Sequence, residues 1–244
     1  NMIGATWNVN SVRARLEQVL RWLSENPVDF LCLQETKVSD DLFPAESFLA
    51  AGYLSTVFGQ KTYNGVAVLS RKAPSNVSRG LPSGFMGDQA RLLRFTLEGI
   101  NFLNAYVPNG GAVELPSFPQ KLEWLEELLK AALSLPGPTV VLGDFNVAPG
   151  PEDTHSPGTQ DGTVCYHPLE RRRIQAFLDA GFEDVFRRFH PKGKAYTWWD
   201  YRAGAFRRNM GMRLDLVLAN RDASALFRDV RLDPAPRSWE KPSD

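Results

Sequence analysis

The sequence is poor in cysteine and histidine, with two cysteines and three histidines among 244 residues. The cysteines form no CxxC pair, and Cys32 lies inside an apolar run at residues 30–33, so neither a disulfide framework nor a zinc–thiolate site is expected. No stretch approaches the roughly 18 consecutive apolar residues of a membrane span, and the N-terminus lacks the basic and then apolar order of a signal peptide. We therefore expect a soluble, cytoplasmic protein that has no membrane partner.

The chain also has no net charge, since 28 Lys and Arg balance 28 Asp and Glu, so the total charge gives no sign of a polyanionic partner. The local charge is uneven, because cations outnumber acids by eleven to five between residues 170 and 213. This segment also contains the aromatic residues Tyr196, Trp198, Trp199, Tyr201 and Phe206. Cations mixed with aromatic rings suit a phosphate backbone and an exposed sugar or base. The alternatives are a solvated helix face for the arginines at 171–173 and a place in the core for Trp198.

The apolar pattern predicts a single α/β domain over residues 1–244. Short runs rich in Val, Leu and Phe predict strands at 3–7, 30–33, 66–69, 92–97, 102–107, 139–142 and 214–218. Helical periodicity predicts helices at 12–23, with Ser11 as the N-cap, at 117–132 and at 168–180. No linker rich in Pro, Gly or Ser divides the chain, so we expect mixed sheets in one domain. The polar segment 148–163 offers almost nothing to a core and predicts a long surface loop.

Polar residues follow several of these apolar strands at the point where each strand ends, Tyr106 lies near the end of another, and Asp215 lies at the start of a fifth. The residues concerned carry carboxylate, carboxamide or phenol groups: Asn8, Asn10, Glu35, Tyr106, Asp144, Asn146 and Asp215. Hard oxygen donors of this kind suit Mg²⁺ or Mn²⁺, which bind through one or two carboxylates together with substrate phosphate oxygens.

Each of these residues has an ordinary structural interpretation when it is taken alone. Glu35 and Asp144 are typical turn or helix-cap residues, and Tyr106 is typical of a half-buried strand aromatic. Asp215, with Arg213 two residues before it, is compatible with a salt bridge at a strand start. The combination favours a site, because apolar strands that repeatedly end in oxygen ligands are costly unless a cation or phosphate satisfies them.

Five blocks of the sequence resemble the signature blocks of exonuclease III, the bacterial abasic-site endonuclease family of the exonuclease–endonuclease–phosphatase superfamily. The blocks are TWNVNSVRAR at 6–15, LQETK at 33–37, NAYVPNG at 104–110, GDFN at 143–146, and YTWWDY at 196–201 with GMRLD at 211–215. They occur in order and span essentially the whole chain. GDFN alone is shared with deoxyribonuclease I, sphingomyelinases and inositol phosphatases, whereas the first, third and fifth blocks resemble the DNA-repair branch.

The resemblance implies a four-layered α/β sandwich, in which two mixed β-sheets pack face to face with helices outside and the active site lies at one edge. It implies a Mg²⁺ site, with Mn²⁺ as an alternative ion. The ligands implied for the ion are Asn8, Glu35, Asp144, Asn146 and Asp244. The catalytic residues implied are Tyr106 as a donor to the phosphate, Asp144 on the attacking water, and Asp215 as the partner of a histidine. Asn146 is implied to hold the attacking water or an oxygen of the transition state. Whether Asp144 removes a proton or only orients the water stays open.

The resemblance also implies double-stranded DNA with abasic sites or 3′ ends as the partner, bound by a monomer. The DNA-binding residues implied are Arg91, Asn109, Trp199, Arg208, Asn209 and Met212. Trp199 and Met212 would lie closest to a flipped-out abasic sugar, and methionine, being softer than the Trp or Leu of related proteins, would loosen the sugar preference. Flipping a baseless nucleotide costs little stacking energy, which gives selectivity without reading a base.

The chain departs from the family's pattern at the Ser-Asp-His block, since Ser243 and Asp244 are present but the histidine is not. Two explanations compete: residues that follow Asp244 in the protein, or a truncated molecule with severely reduced activity. We expect the former.

The sequence thus predicts a Mg²⁺-dependent phosphodiesterase of base-excision repair, which cleaves 5′ to abasic sites and trims 3′ ends to leave 3′-hydroxyls. One alternative is another phosphatase or phosphodiesterase of the superfamily. A second is a catalytically silent regulator that binds nucleic acid on the same fold. The sequence leaves open the balance of endonuclease and exonuclease activity, the number of metal ions, protein partners and the role of residues 148–163.

Overall fold

The computed structural model describes residues 1–202 and 204–244. The strands are β1 (Gly4–Asn8), β2 (Phe30–Gln34), β3 (Leu54–Phe58), β4 (Val66–Ser70), β5 (Ser75–Arg79), β6 (Leu92–Leu97), β7 (Ile100–Tyr106), β8 (Thr139–Asp144), β9 (Glu183–Asp184), β10 (Trp198–Trp199), β11 (Gly211–Met212) and β12 (Asp215–Ala219). The helices are α1 (Leu16–Glu25), α2 (Ala45–Ala50), α3 (Ser117–Leu133), α4 (Pro157–Gln160), α5 (Pro168–Asp179), α6 (Val185–Phe189) and α7 (Arg221–Ser224). Within the described ranges, no helix is long and apolar enough to cross a membrane.

The strands form two mixed sheets and a small hairpin. The first sheet has the order β1-β2-β4-β3, and the second has the order β5-β6-β7-β8-β12-β9, while β10 pairs with β11. The β1–β2 and β7–β8 pairs are parallel, and the other pairs are antiparallel. Parallel neighbours end at the same edge of a sheet, so β1 with β2 and β7 with β8 each deliver two chain segments to one place.

Alternation along the central strands creates four layers. On β2, Phe30 and Cys32 point between the sheets, where they join a cluster with residues of β6, β7 and β8. The intervening Leu31 and Leu33 face α1 and α2 in a second cluster. The opposite face of the second sheet packs against α3 and α5 in a third cluster. The predicted four-layered sandwich, with helices outside two packed mixed sheets, is confirmed.

Most predicted elements lie within one or two residues of their observed positions. The start of α1 is an exception, because the predicted N-cap at Ser11 is wrong and the helix begins at Leu16, after Arg15. The Ser11 hydroxyl instead accepts a hydrogen bond from the Ala14 amide, at 3.2 Å, within a preceding turn. Residues 12–15 form a turn, and Arg15 has a non-helical φ of −109° and ψ of 11°, so the helix is not continuous from residue 12.

Residues 148–163 contribute more to the interior than predicted. They contain a 3₁₀ turn at Pro151–Asp153 and helix α4, and Asp153 and Thr154 are buried. Asp153 accepts a hydrogen bond from Arg213 Nε at 2.8 Å, and Arg213 also pairs with Asp184. The alternative of an Arg213–Asp215 salt bridge is therefore wrong. A buried arginine needs carboxylate partners, and the segment 148–163, which was predicted to be a surface loop, supplies one of them.

Candidate active site

Strand register brings the polar strand ends of the second sheet into one row. Tyr106 pairs with Asp144 across β7 and β8, and Asp215 pairs with Asp144 across β8 and β12. Residues directly opposite on neighbouring strands point to the same face, so these three side chains share one edge of the sandwich. In the first sheet, Asn8 pairs with Gln34, and Glu35 follows directly.

The Asn8 amide joins the two sheets at this edge. Its Nδ2 donates to Glu35 Oε2 at 2.7 Å and to Asp144 Oδ2 at 2.8 Å. Its Oδ1 accepts from the Asn10 backbone amide at 3.0 Å. Glu35 and Asp144, which are 109 residues apart in the chain, therefore meet through a single side chain.

The backbone around Glu35 is unusual. Glu35 has a left-handed φ of 54°, and Lys37 has a φ of 55°. The Glu35 carbonyl accepts from the Ser11 amide at 2.8 Å, so the segments that follow β1 and β2 hold each other. Non-glycine residues persist in this region only when their surroundings over-determine it, and such residues concentrate at functional sites.

Asp144 and Asn146 are held by the tight turn after β8. Asp144 Oδ1 accepts from the Asn146 backbone amide at 3.0 Å, and Asn146 Nδ2 donates to the Val107 carbonyl at 2.8 Å. Asn146 Oδ1 accepts from Asn109 Nδ2 at 3.3 Å. A carboxamide nitrogen carries two protons, so the second Asn146 proton is available to a bound oxygen.

Two of the carboxylates at this edge, Asp144 and Asp215, have raised pKa values, chiefly because they are buried. Burial raises the pKa of Asp144 well above its usual value, and the negative charges of Asp215 and Glu35 raise it further, although the hydrogen bonds from Asn8 and Asn146 lower it. Burial likewise raises the pKa of Asp215 to about 6, against a hydrogen bond from Thr197 that lowers it. Burial, followed by Glu35 and Asp144, raises the pKa of the Tyr106 phenol, which is therefore protonated at neutral pH.

The donor set fits a hard divalent cation. Within the described part of the chain, no group of three or more His, Cys, Asp or Glu side chains would hold a metal by itself. Mg²⁺ and Mn²⁺ do not need such a group, since carboxylates, an amide oxygen, waters and substrate oxygens suffice. Like-charged carboxylates with raised pKa values are groups that a cation would stabilise in the ionised form.

Asp244 and Asp215 lie beside Arg237. The charge of Arg237 lowers the pKa of Asp215, while Asp244 raises it. The Asp244 carbonyl accepts from the Trp199 amide at 3.4 Å. Among the described residues, Asp215 Oδ1 is buried without a hydrogen-bond partner. It is therefore an acceptor that a further donor would satisfy.

The sequence reasoning assigned no role to three neighbours of the site. Thr197 Oγ1 accepts from the Asp215 backbone amide at 3.0 Å, and Lys37 Nζ donates to Asn10 Oδ1 at 2.6 Å. Arg237 donates to Ser243 Oγ beside Asp244. Lys37 and Thr197 lie inside the matching blocks, which was a usable signal. Arg237 lies in a polar segment where neither periodicity nor motif marks it.

The two tryptophans of the Trp-Trp block lie on opposite faces of the β10–β11 hairpin. Successive strand residues point to opposite faces, and Trp198 pairs with Met212. The half-buried Trp198 packs with Met212 and Leu214 in a cluster near Asn146. Trp199 is buried on the other face, and its Nε1 donates to Asn209 Oδ1 at 3.2 Å. The structure therefore places Trp198, and not Trp199, beside Met212, while Trp198 itself is only partly buried.

The remaining residues predicted to bind DNA differ in their placement. Arg91 lies 4.8 Å from the Tyr106 ring centre and donates to the Tyr106 carbonyl, and Asn109 is exposed beside Asn146. Arg208 is exposed, and its guanidinium contacts the Met210 sulfur. The segment around Arg208 also exposes two aromatic residues, Tyr201 and Phe206.

The arginines at 171–173 lie on α5, away from these groups. Arg171 pairs with Asp161, and Arg173 pairs with Glu126. Arg172 is exposed. These contacts favour the alternative of a solvated helix face for this run of arginines.

Replacing Asp215 by asparagine should increase the free energy of unfolding at neutral pH, because it removes a negative charge from this cluster of carboxylates. Asp215 has a raised folded-state pKa, so it contributes stability below its unfolded pKa of about 4, and this contribution is lost as the pH rises through about 6. In EDTA at pH 7.5, Asp215→Asn should therefore be more stable than the wild type by on the order of 2 kcal/mol, or about 5 °C in Tm. The gain should vanish at pH 4. Thermal melts in EDTA from pH 4 to 8 measure this, and a lower Tm for the variant at pH 7.5 would contradict it.

A two-sheet sandwich with carboxylates, amides and a phenol at one edge defines a class of protein, the metal-assisted hydrolases of phosphate esters. Residues 5–244 match the model of the Endonuclease/Exonuclease/phosphatase family. The chain belongs to this family.

Relatives and solved structures agree with this assignment. The chain is 32% identical to an exodeoxyribonuclease of Bacillus subtilis, over 93% of this chain and 91% of the relative, and 30% identical to exodeoxyribonuclease III of Haemophilus influenzae, over 98% and 95%. The structure of the 3′ phosphatase NExo from Neisseria, bound to a product DNA hairpin, is similar with a TM-score of 0.97 and 40% identity. An AP endonuclease from Archaeoglobus fulgidus has a TM-score of 0.95 and 41% identity. Both cover 100% of this chain and 96% of the relative. The predicted resemblance to exonuclease III is confirmed.

Proposed function

We propose that this protein is a divalent-metal-dependent DNA phosphodiesterase of DNA repair, which hydrolyses phosphate esters to leave 3′-hydroxyl ends. The observation that carries the proposal is the Asn8 amide, which holds Glu35 and Asp144 together at the edge where both sheets end. Family membership and relatives named exodeoxyribonucleases and AP endonucleases support a nuclease. A relative bound to a DNA product supports DNA as the substrate.

Glu35, the Asn8 amide and Asp144 are the residues that would hold the ion, with Asn146 and Asp244 nearby. We expect Mg²⁺, with Mn²⁺ as a substitute. When bound, the ion supplies positive charge to the phosphate oxygens that become more negative during hydrolysis.

The protein's own groups perform the other tasks. Asp144 is fixed by hydrogen bonds to both of its oxygens, so it is placed to orient the attacking water and to accept its proton. Asn146 offers its second amide proton to a phosphate oxygen. Burial raises the pKa of the Tyr106 phenol, so this group stays protonated and donates a hydrogen bond to the phosphate. Asp215 Oδ1, which is buried without a hydrogen-bond partner among the described residues, is available to a further donor.

Trp198 and Met212, rather than Trp199, are proposed to face the sugar next to the cleaved bond. They pack together with Leu214, the residue before Asp215. A largely apolar wall accepts a sugar that has lost its base and does not read sequence. Tyr201 and Phe206, with the exposed Arg207 and Arg208, would contact the DNA strand beside this wall.

The experiment uses three duplexes that distinguish the reactions named for the relatives. One duplex carries an internal abasic-site analogue, one ends in a 3′-phosphate, and one has a recessed 3′-hydroxyl end. Each is incubated with the wild type in Mg²⁺, in Mn²⁺ and in EDTA. We expect cleavage of the abasic strand and conversion of the blocked or recessed ends, in both metals and not in EDTA. The proposal fails if no duplex is changed in either metal.

A second candidate is a 3′-end-processing enzyme that leaves internal abasic sites intact. The observation that favours it is the similarity to a Neisseria structure named a 3′ phosphatase, at nearly the same identity as the AP endonuclease. Conversion of the 3′-phosphate without abasic cleavage would support this candidate.

We also propose that residues 1–244 form one domain that acts as a monomer in the cytoplasm. The shared cluster between the two sheets supports a single domain, because neither sheet would bury its inner face alone. Size-exclusion chromatography with light scattering tests the monomer, and an observed mass of two chains would contradict it.

Tyr106→Phe should lower kcat by about 10²-fold with little change in KM, because it removes one donor to the transition state and keeps the ring. Steady-state kinetics on the best of the three duplexes measures this. Tyr53→Phe is the control, since the Tyr53 hydroxyl donates to the Val28 carbonyl at 2.8 Å, at the end of the first sheet opposite to Glu35. A kcat for Tyr106→Phe within twofold of the wild type would exclude the phenol as a donor.

A further inference from the structure

An ion pair between Lys121 and Glu170 is completely buried, with both side chains 0% exposed. Lys121 lies on α3 and Glu170 on α5, and neither helix carries a residue of the site described above. Removing two charges from water is costly, and an apolar pair of similar size often stabilises a protein as well or better. Stability alone therefore does not explain the pair.

The ammonium group of Lys121 reaches the backbone of two residues at the site. It donates to the Asn146 carbonyl at 2.7 Å and to the Asn109 carbonyl at 3.0 Å, in addition to the Glu170 carboxylate. A lysine has three donors, so every one is used. Two of the three hold the loops that follow β8 and β7.

The carboxylate of Glu170 holds a third segment. It accepts from the Cys165 amide at 3.1 Å and from the His167 amide at 2.9 Å. The Cys165 carbonyl in turn accepts from the Ala148 amide at 2.8 Å, two residues after Asn146. The turn that contains Asn146 is thus fixed from both directions by one buried pair.

Asn146 needs such a restraint. The φ of Asn146 is 52° and that of Cys165 is 74°. Both lie in the left-handed backbone region that residues other than glycine rarely adopt. The Asn146 side chain is directed at the site through its bonds to Val107 and Asn109. Any relaxation of the turn would move the amide that faces the substrate.

We propose that Lys121 and Glu170 are positioning residues, which fix the Asn146 turn and Asn109 in the orientation that the phosphate requires. This inference rests on the proposed function, because Asn146 acts on the phosphate only if the protein hydrolyses phosphate esters. The pair does not contact the substrate and acts through Asn146.

The first test is Lys121→Met, with kinetics measured well below the melting temperature. Misplacing a catalytic group by about 1 Å costs roughly 10²-fold, so we expect kcat to fall about 10²-fold while KM stays within threefold. Lys130→Met is the matched control, since Lys130 lies on the same helix and makes an exposed pair with Glu127. The control should keep the wild-type kcat.

A double-mutant cycle separates positioning from a general loss of structure. If Lys121 acts through Asn146, Lys121→Met should have no further effect on single-turnover rates in an Asn146→Ala background. An equal fold-loss in both backgrounds would overturn the inference. If Lys121→Met does not fold, Lys121→Met/Glu170→Gln removes both charges, and its kcat should also be about 10²-fold low.

A spectroscopic measurement is independent of activity. In ¹⁵N spectra, the side-chain amides of Asn109 and Asn146 should shift or broaden in Lys121→Met and remain unchanged in Lys130→Met. Unchanged amide signals would overturn the inference even if the wild type proves inactive. Inactivity of the wild type on all three duplexes would instead defeat the proposed function.

Discussion

Asp144→Asn should lower kcat on the preferred DNA substrate by about three orders of magnitude, because an amide cannot accept the proton of the attacking water. Asparagine keeps the size of the side chain, but its NH₂ group must face one of the two donors that now bind Asp144, the Asn146 amide or the Asn8 amide. The substitution therefore removes the base and disturbs the water-binding geometry together. Single-turnover rates at saturating Mg²⁺ measure the loss.

Asp161→Asn is the matched control for this substitution. Asp161 is an exposed carboxylate that pairs with Arg171, at 2.8 Å, in the segment 148–163. Surface pairs of this kind contribute little, so kcat should stay within twofold. A kcat for Asp144→Asn within tenfold of the wild type would exclude Asp144 as the base and leave it, at most, the task of orienting water.

Glu35→Gln should weaken the binding of Mn²⁺ by on the order of 100-fold, because it removes one negative charge from a donor set that contains few. Glutamine retains the length of the side chain and an oxygen that can accept from Asn8 Nδ2. The fold should therefore persist. Activity should fall steeply at low Mn²⁺ concentration and recover in part when the concentration is raised. Titration calorimetry or electron paramagnetic resonance measures the binding directly.

Glu98→Gln is the control for metal affinity, since Glu98 is exposed and pairs with Lys72 at 2.9 Å, outside the site. The control should bind Mn²⁺ as the wild type does. If Glu35→Gln binds Mn²⁺ with unchanged affinity, the Glu35 carboxylate does not hold the ion, and its metal assignment fails. Such a result would leave the role of Asp144 untouched.

The buried strands of the fold could be predicted from the sequence because burial imposes a local pattern. The apolar runs at 30–33, 66–69 and 139–142 lie in β2, β4 and β8, every residue of which is buried. Strands covered on both faces are apolar throughout and easy to recognise. By contrast, the edge strands β3 and β5 are only partly buried and have mixed composition, so no apolar run indicated them.

The sequence did not show which residues of the irregular segments are buried or which neighbours they contact. Residues 148–163 contain no apolar run, yet Asp153 is buried because Arg213, 60 residues later, pairs with it. Trp198 and Trp199 are equally apolar, and only their pairing with β11 decides which of them lies with Met212. Both outcomes depend on partners distant in the chain, which no local pattern specifies.

The sequence by itself determined the buried strands and the chemical groups near their ends, which follow from local alternation, and its motifs carried the family resemblance that implied the four layers. Only the tertiary structure decided that one amide joins Glu35 to Asp144, that Trp198 lies beside Met212, and that a buried Lys121–Glu170 pair supports the Asn146 turn. The physical reason is that strand register and the packing of two sheets set distances between residues that are far apart in the chain. Those distances are fixed by the burial of apolar surface from many residues across the chain, so no single stretch of sequence specifies them.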